Sequence, residues 1–223
     1  MNARSSRNGV LLAGGTGLIG HELIQLLLAH KPRPVLHALV RQQPEAADAR
    51  AHWLQVDFSR LPALPAADEG WCCLGTTLKQ AGSRAAFRAV DFDAVVAFAR
   101  AARRAGATRF GVVSALGASA RSATFYNRVK GEMEAAVGAL GFDSLVIARP
   151  SLLAGNRAAL GQPLRSGEQL ALWLTVPIAG LIPKAVRPIH ARTVARGMMV
   201  ALRQQQPGVR IVESGELQEL GAE

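Results

Sequence analysis

Cysteine is nearly absent: the chain has two, Cys72 and Cys73, and they are adjacent. Sequence neighbours are badly placed for the geometry of a stable disulfide, and no second pair exists to complete a thiolate zinc site. A disulfide scaffold and a structural zinc module are thereby excluded. The two thiols read as small apolar residues of a buried strand, and a reducing cytoplasm is the expected compartment. Long apolar runs are missing too. Gly9–Ala13 is too short for the core of a secretory signal, and the strongly apolar stretch 168–182 is about 15 residues with Pro177 inside, too short and broken to span a bilayer.

Lysine is scarce, with four (Lys31, Lys79, Lys130 and Lys184) against 22 arginines, and Tyr126 is the single tyrosine. The net charge of +10 invites a nucleic-acid reading. The arginines are scattered, however, and neither an aromatic-rich RNA signature nor a helix-turn-helix pattern is present. Nucleic acid and membranes are therefore not expected partners. Disorder is excluded as well, since 49% of residues are hydrophobic and 19% charged.

What is present is an alternation of apolar runs with helical periodicity, the sign of βαβ units. Strands are expected at 9–13, 35–40, 51–56, 70–74, 109–114, 142–148 and 209–212, and helices at 18–29, 92–105, 123–140 and 193–202. On the second helix Val95, Val96, Phe98 and Ala99 should face the core, with Gly106 as its stop. The 223 residues fit one α/β domain with a doubly wound parallel sheet, in which 9–150 form a dinucleotide-binding core and 151–223 substrate-side elements. Segment 151–188 should be irregular and lie over the carboxyl ends of the strands, with Ser166 capping the apolar stretch as a pocket wall or dimer contact.

Gly14-Gly15-Thr16-Gly17-Leu18-Ile19-Gly20 falls between the first strand and the first helix. The first glycine permits a tight turn, the second lets backbone approach a pyrophosphate, and the third lets the helix pack close to the strand. Phosphates then meet the free N–H groups and the dipole of the helix N-terminus. The second strand ends in Val40-Arg41-Gln42-Gln43 with no acid, and an arginine there accommodates a 2′-phosphate, favouring NADP(H). Asp57, after the third strand, is a candidate for the adenine edge.

Tyr126 and Lys130 stand at i and i+4, on one helix face. A phenol is a poor acid–base catalyst at neutral pH unless a nearby cation favours its ionised form, and Lys130 can supply that cation and hold a nicotinamide ribose. Ser114, at the end of the fifth strand, could hydrogen-bond a substrate carbonyl. His190 reads as structural and His21 as solvent-facing. Trp53 and Trp71 read as packing residues and Trp173 as a pocket wall.

With Gly14 to Gly20, Cys73-Leu-Gly-Thr-Thr77, Ala89-Val-Asp91, Val113-Ser-Ala-Leu-Gly-Ala-Ser119, Tyr126 to Glu132 and Arg149-Pro-Ser-Leu-Leu153, the chain resembles an atypical short-chain dehydrogenase/reductase. It is most similar to the Tat-interacting-protein-like oxidoreductases of the epimerase-like NAD(P)-binding group, and the likeness covers roughly residues 9–200. The resemblance implies that Gly14, Thr16, Gly17, Leu18, Ile19 and Gly20 bind the cofactor, with Arg41 at its 2′-phosphate. It implies that Leu74, Gly75 and Thr76 line the path from adenosine to nicotinamide and that Pro150 borders the nicotinamide. Ser114, Tyr126 and Lys130 would match the family's catalytic triad.

Two positions depart from the family pattern. Ser114 precedes Ala115 where many relatives pair two hydroxyl residues, which leaves Ser119 and Ser122 as substitutes. Asp91 stands where many relatives have asparagine. The expected activity is NADPH-dependent reduction of a small carbonyl compound, in a chain that could pair as a homodimer. The alternatives are an epimerase or dehydratase, and an NADP(H)-binding redox sensor with little catalysis.

Overall fold

The computed structural model describes residues 8–154, 183 and 186–222. The apolar stretch 168–182, with Ser166 and Trp173, lies outside the described residues. The first half of the chain forms β1 (Gly9–Ala13), α1 (Leu18–Ala29), β2 (Val35–Val40), β3 (His52–Gln55) and β4 (Glu69–Cys72). Next come α2 (Leu78–Ala81), α3 (Arg84–Arg88), a π-helical turn at Ala89–Ala94, α4 (Val95–Arg104), β5 (Arg109–Val113) and α5 (Phe125–Gly138). The described elements end with β6 (Ser144–Arg149), β7 (Leu153–Ala154), β8 (Ile189–His190), α6 (Ala191–Arg203), β9 (Gly208–Glu213) and α7 (Ser214–Leu220).

β1 is buried along its whole length, as a central parallel strand must be, since helices cover both its faces. Its side chains alternate between two cores. Val10 and Leu12 join Leu23, Ile24 and Leu27 of α1 and Met198 of α6. Leu11 and Ala13 join Val95 and Phe98 of α4 and Met133 of α5. The sheet order is β3-β2-β1-β4-β5-β6-β9, and every pairing is parallel. The chain winds outward from β1 to β3, then crosses back to place β4 on the other side of β1. That reversal opens a crevice outside the carboxyl ends of β1 and β4. The doubly wound expectation is met.

Several boundaries move for local reasons. The expected strand 70–74 ends at Cys72, because the chain leaves the ladder after Cys73 N donates to Ala13 O at 2.8 Å. The expected strand 51–56 is shortened to His52–Gln55, 109–114 ends at Val113, and 142–148 shifts to Ser144–Arg149. The expected helix 92–105 starts earlier. Ser83 caps α3 by accepting from Ala86 N at 3.1 Å, and helical backbone then continues through the π turn into α4. A π turn inserts one residue and breaks the apolar period, so the pattern hides the join. The expected helix 123–140 starts at Phe125, because Ser122 Oγ accepts from Thr124 N at 3.2 Å and holds that stretch in a turn. The last helix extends beyond 193–202 to Ala191–Arg203, and 209–212 lengthens to Gly208–Glu213. α2, α7 and the two-residue β7–β8 ladder were not anticipated, being too short to show a period.

The carboxyl end of the sheet is tied together by Arg149. Its guanidinium donates to Glu134 of α5 at 2.9 and 2.6 Å and to Glu213 of β9 at 3.0 Å. Glu134 is buried, so removing the cation would leave its carboxylate desolvated and unpaired. Arg149→Met is expected to lower the unfolding free energy by about 3 kcal/mol, measured by urea denaturation at neutral pH. A loss well under ~1 kcal/mol would mean that water replaces the guanidinium.

Candidate active site

The crevice at the β1–β4 reversal holds a cavity of about 1300 Å³. Gly14, Thr16, Gly17, Leu18, Ile19, Arg41, Asp57, Leu74, Gly75, Thr76, Ser114, Tyr126, Lys130 and Pro150 all line it. The ends of six strands, with two helices, bring these residues to one space. Gly20 is not on the lining. It is buried under the turn, where a Cβ would lie 2.1 Å from Gly14 O, so its role is to seat α1 against β1 rather than to face the cavity. Gly14 has φ +85°, and a Cβ there would lie 2.5 Å from the Cys73 carbonyl carbon. Backbone of β1, of α1 and of the strand after the reversal therefore meet without side chains between them.

Gly17 precedes α1 as its cap residue, so the helix has no side-chain cap, and its first turn has no acid. Its free N–H groups and positive dipole end are left for an anion. Arg41 is exposed on the same cavity and has no ion-pair partner among the described residues. Asp57 holds Ser59 through its N–H at 2.8 Å and its hydroxyl at 2.7 Å, and these bonds keep the Asp57 carboxyl below its ordinary range. An uncapped helix end, a glycine cradle that a Cβ would fill and an exposed arginine together fit the phosphates of a dinucleotide.

Ser114 is buried and lines the cavity, and its Oγ has no hydrogen-bond partner among the described residues. A buried hydroxyl left unpaired is costly, so such a group calls for a ligand atom or an ordered water. Ser119 and Ser122 do not line the cavity; they close the exposed turn before α5. Among the three hydroxyls it is Ser114 that stands with Tyr126. The Tyr126 ring is half-buried against Phe87 of α3, with centroids 5.3 Å apart.

Lys130 is buried and does not stand alone. Its Nζ lies 2.7 Å from Asp91 Oδ1, and both side chains are almost wholly removed from water. The contact is an ion pair between two buried charges. Asp91 Oδ2 accepts from Thr76 N at 2.8 Å. Burial pushes the Lys130 ammonium down, but the Asp91 carboxylate, the Tyr126 phenol and the Cys72 thiol outweigh it and raise the group above the usual lysine range. In the sequence Asp91 stood in a stretch that carries the resemblance and also as a departure from its pattern, but its burial on the π turn was not foreseen. Cys72 is buried as expected, and burial is the main reason its thiol is pushed up to about 12. Burial likewise raises Cys73, which lines the cavity.

The remaining aromatic residues and histidines stand outside this chemistry. His190 is exposed at the start of α6, and His21 is half-buried rather than turned to solvent. Trp71 is in the core, and Trp53 is packed against it with its indole N–H donating to Asp48 O at 2.9 Å. No group of three or more metal-ligating side chains occurs among the described residues.

Two outcomes follow from this geometry. Gly14→Ala should abolish measurable NAD(P)H binding, followed by cofactor fluorescence, because the added Cβ collides with backbone and forces a left-handed conformation. The Cys72 thiol ordinarily loses its proton near 9.0 and keeps it to about 12 when folded, so the unfolded state releases protons first and stability falls as pH rises across that interval. Lys130, also raised, acts in the same direction above its ordinary value of 10.5. Urea midpoints measured above pH 9 should therefore decline, and Cys72→Ala should make the decline shallower.

The comparisons with known proteins agree with this geometry. The chain matches the NAD(P)H-binding family over residues 14–164. It is 32% identical over 206 residues to Protein HTATIP2 of Rattus norvegicus, covering 88% of this chain and 81% of that protein. It is 31% identical over 211 residues to Protein FMP52, mitochondrial, of Eremothecium gossypii, covering 93% and 94%. MoeE5 in complex with UDP-glucose and NAD superposes with a TM-score of 0.67 at 15% identity, over 96% of this chain and 81% of that one. UDP-glucose 4-epimerase of Thermotoga maritima superposes with a TM-score of 0.68 at 14% identity, over 95% and 80%. At such identities the structural likeness shows the fold. The chain belongs to the NAD(P)H-binding family and, within it, to the Tat-interacting-protein-like branch of the atypical short-chain dehydrogenases/reductases.

Proposed function

We propose that the protein is an NADPH-dependent reductase of small carbonyl compounds. The observation that carries this reading is the buried Ser114 hydroxyl, unpaired among the described residues, on a cavity lined also by Tyr126 and the glycine turn. When bound, the reduced nicotinamide supplies a hydride for the carbonyl carbon. Ser114 donates a hydrogen bond to the carbonyl oxygen and polarises it, and Tyr126 gives that oxygen a proton as the alcohol forms. Gly14, Thr16, Gly17, Leu18 and Ile19 hold the pyrophosphate side, Leu74, Gly75 and Thr76 the path to the nicotinamide, and Pro150 its border. Asp57 takes the adenine edge. Gly20 contributes by letting α1 approach.

The preference for NADP(H) rests on Arg41, whose exposed guanidinium can pair with a 2′-phosphate where no carboxylate follows β2. The free adjacent cysteines fit a reducing compartment, proposed as the cytoplasm; relatives such as FMP52 carry "mitochondrial" in their names. No helix among the described residues is long and apolar enough to cross a membrane.

A second reading is a cofactor-bound regulator with little turnover. It is favoured by the Asp91–Lys130 pair, which draws on the cation that the triad would otherwise direct at Tyr126.

The test follows NADPH absorbance and fluorescence with a panel of aldehydes, ketones and quinones. Tyr126→Phe should cut turnover about 100-fold or more while cofactor affinity is kept, because a general acid contributes at least that much. Arg41→Ala should weaken NADPH binding about tenfold and leave NADH unchanged. NADPH binding with no turnover of any compound would transfer the assignment to the regulator.

A further inference from the structure

The pair in the cavity wall is built for a carboxylate. Asp91 presents one oxygen to Lys130 Nζ at 2.7 Å and the other to Thr76 N at 2.8 Å, two donors on opposite sides of one side chain. An asparagine has a single acceptor oxygen, and its amide would turn a donor towards one of these two groups. Both charged side chains are buried, with 3% of Lys130 and none of Asp91 exposed, so water screens their charges little. Gly75 lies directly over them: a Cβ there would be 3.4 Å from Asp91 Oδ1 and 3.7 Å from Lys130 Nζ. The carboxylate is delivered by the π turn, a rare insertion that recurs at functional sites.

We propose that Asp91 is a positioning residue that sets the charge felt by Tyr126: it pins Lys130 and offsets its ammonium, so the tyrosine works beside a nearly neutral pair rather than beside a free cation. This rests on the reductase reading for its consequence in turnover, but the charge arrangement is a property of the ligand-free chain. The other charged and titratable groups around α5 do not replace Asp91. α3 offers Arg88, which is committed to Glu132, and Arg84, which stacks over Phe125. The π turn also carries Asp93, which is exposed to water. α4 meets α5 through an apolar cluster that includes Val95, Phe98, Met133 and Val137. β4 brings the Cys72 thiol, held protonated by burial. On α5 itself, Arg128 donates to Ser122 O at 3.0 Å. The raised titration of Lys130, in which Asp91 is the leading attractive partner against burial, agrees with the geometry.

Tyr126 is the one tyrosine of 223 residues, so the near-ultraviolet band of ionised phenol reports a single site. The experiment is a stopped-flow pH jump on the ligand-free full chain, with the band's amplitude read before alkaline unfolding sets in. Asp91→Asn should ionise Tyr126 at a pH about one unit or more below wild type, since it frees an opposite charge near the phenol. The double variant Asp91→Asn/Lys130→Met removes both buried charges, a change that commonly folds as well as the original pair. Its midpoint should fall within about half a unit of wild type, because a neutral gap replaces a compensated pair.

An Asp91→Asn midpoint equal to or above wild type would overturn the proposal. Should Asp91→Asn fail to fold, a double-variant midpoint about one unit or more above wild type would overturn it instead, since Lys130 would then act as a free cation despite Asp91. Loss of turnover in every variant, with the titrations as expected, would strike the reductase reading and leave the charge assignment standing. In the active enzyme, Asp91→Asn should move the basic limb of the pH profile of kcat/KM to lower pH by a similar interval, a displacement that mere loosening of the cavity wall would not produce.

Discussion

Three backbone segments meet at the first turn with no side chain between them, and the rest of the molecule is arranged around that contact. Gly20 allows α1 to touch the carbonyl of Gly14, and Gly14 in turn lies against the carbonyl of Cys73. A methyl group at either position would push α1 off β1 or β1 away from the chain leaving β4. Because α1 is so close, Leu23, Ile24 and Leu27 reach Val10 and Leu12 and close one core. Because β1 and β4 remain paired up to Cys72, the chain can part sharply afterwards, and the parting is the cavity.

The electrostatics of the cavity follow from who is allowed to be dry. A buried charge persists only with a partner, and a buried hydroxyl is costly without one. Lys130 satisfies the first condition through Asp91, whereas Ser114 has no partner among the described residues. The fully compensated group therefore reads as architecture with a tuning role, and the uncompensated one as the place where a ligand atom belongs. At the outer end of the same sheet, Arg149 joins α5 to β6 and β9 through two glutamates. That tie fixes the helix carrying Tyr126 and Lys130 against the strand that leads into Pro150.

Much of the fold could be read directly. β1, α1 and β2 carry continuous apolar runs and local punctuation, so their extents came out unchanged, and the glycine spacing located the crevice before any coordinate. Tyr126, Lys130 and Ser114 were legible because helix period and strand ends are local properties. Other features were not. The start of the helical stretch at Arg84 depends on the Ser83 cap followed by a π turn, and neither leaves an apolar period. Gly20 carried two readings, a packing glycine and a cofactor contact, and its 2.1 Å clearance bears out the first.

The sequence by itself determined a doubly wound α/β domain, a glycine turn opening a helix, an arginine in place of an acid after β2 and a Tyr–Lys pair on one helical face. Each of these is written in residues at most a few positions apart, where propensity and spacing act directly. Only the tertiary structure decided that Asp91 meets Lys130, that Ser114 rather than Ser119 or Ser122 faces the cavity, and that Arg149 bridges two glutamates. Those pairings join residues 15 to 64 positions apart. Their existence depends on burial, because the same side chains exposed to water would be screened and free to choose other partners.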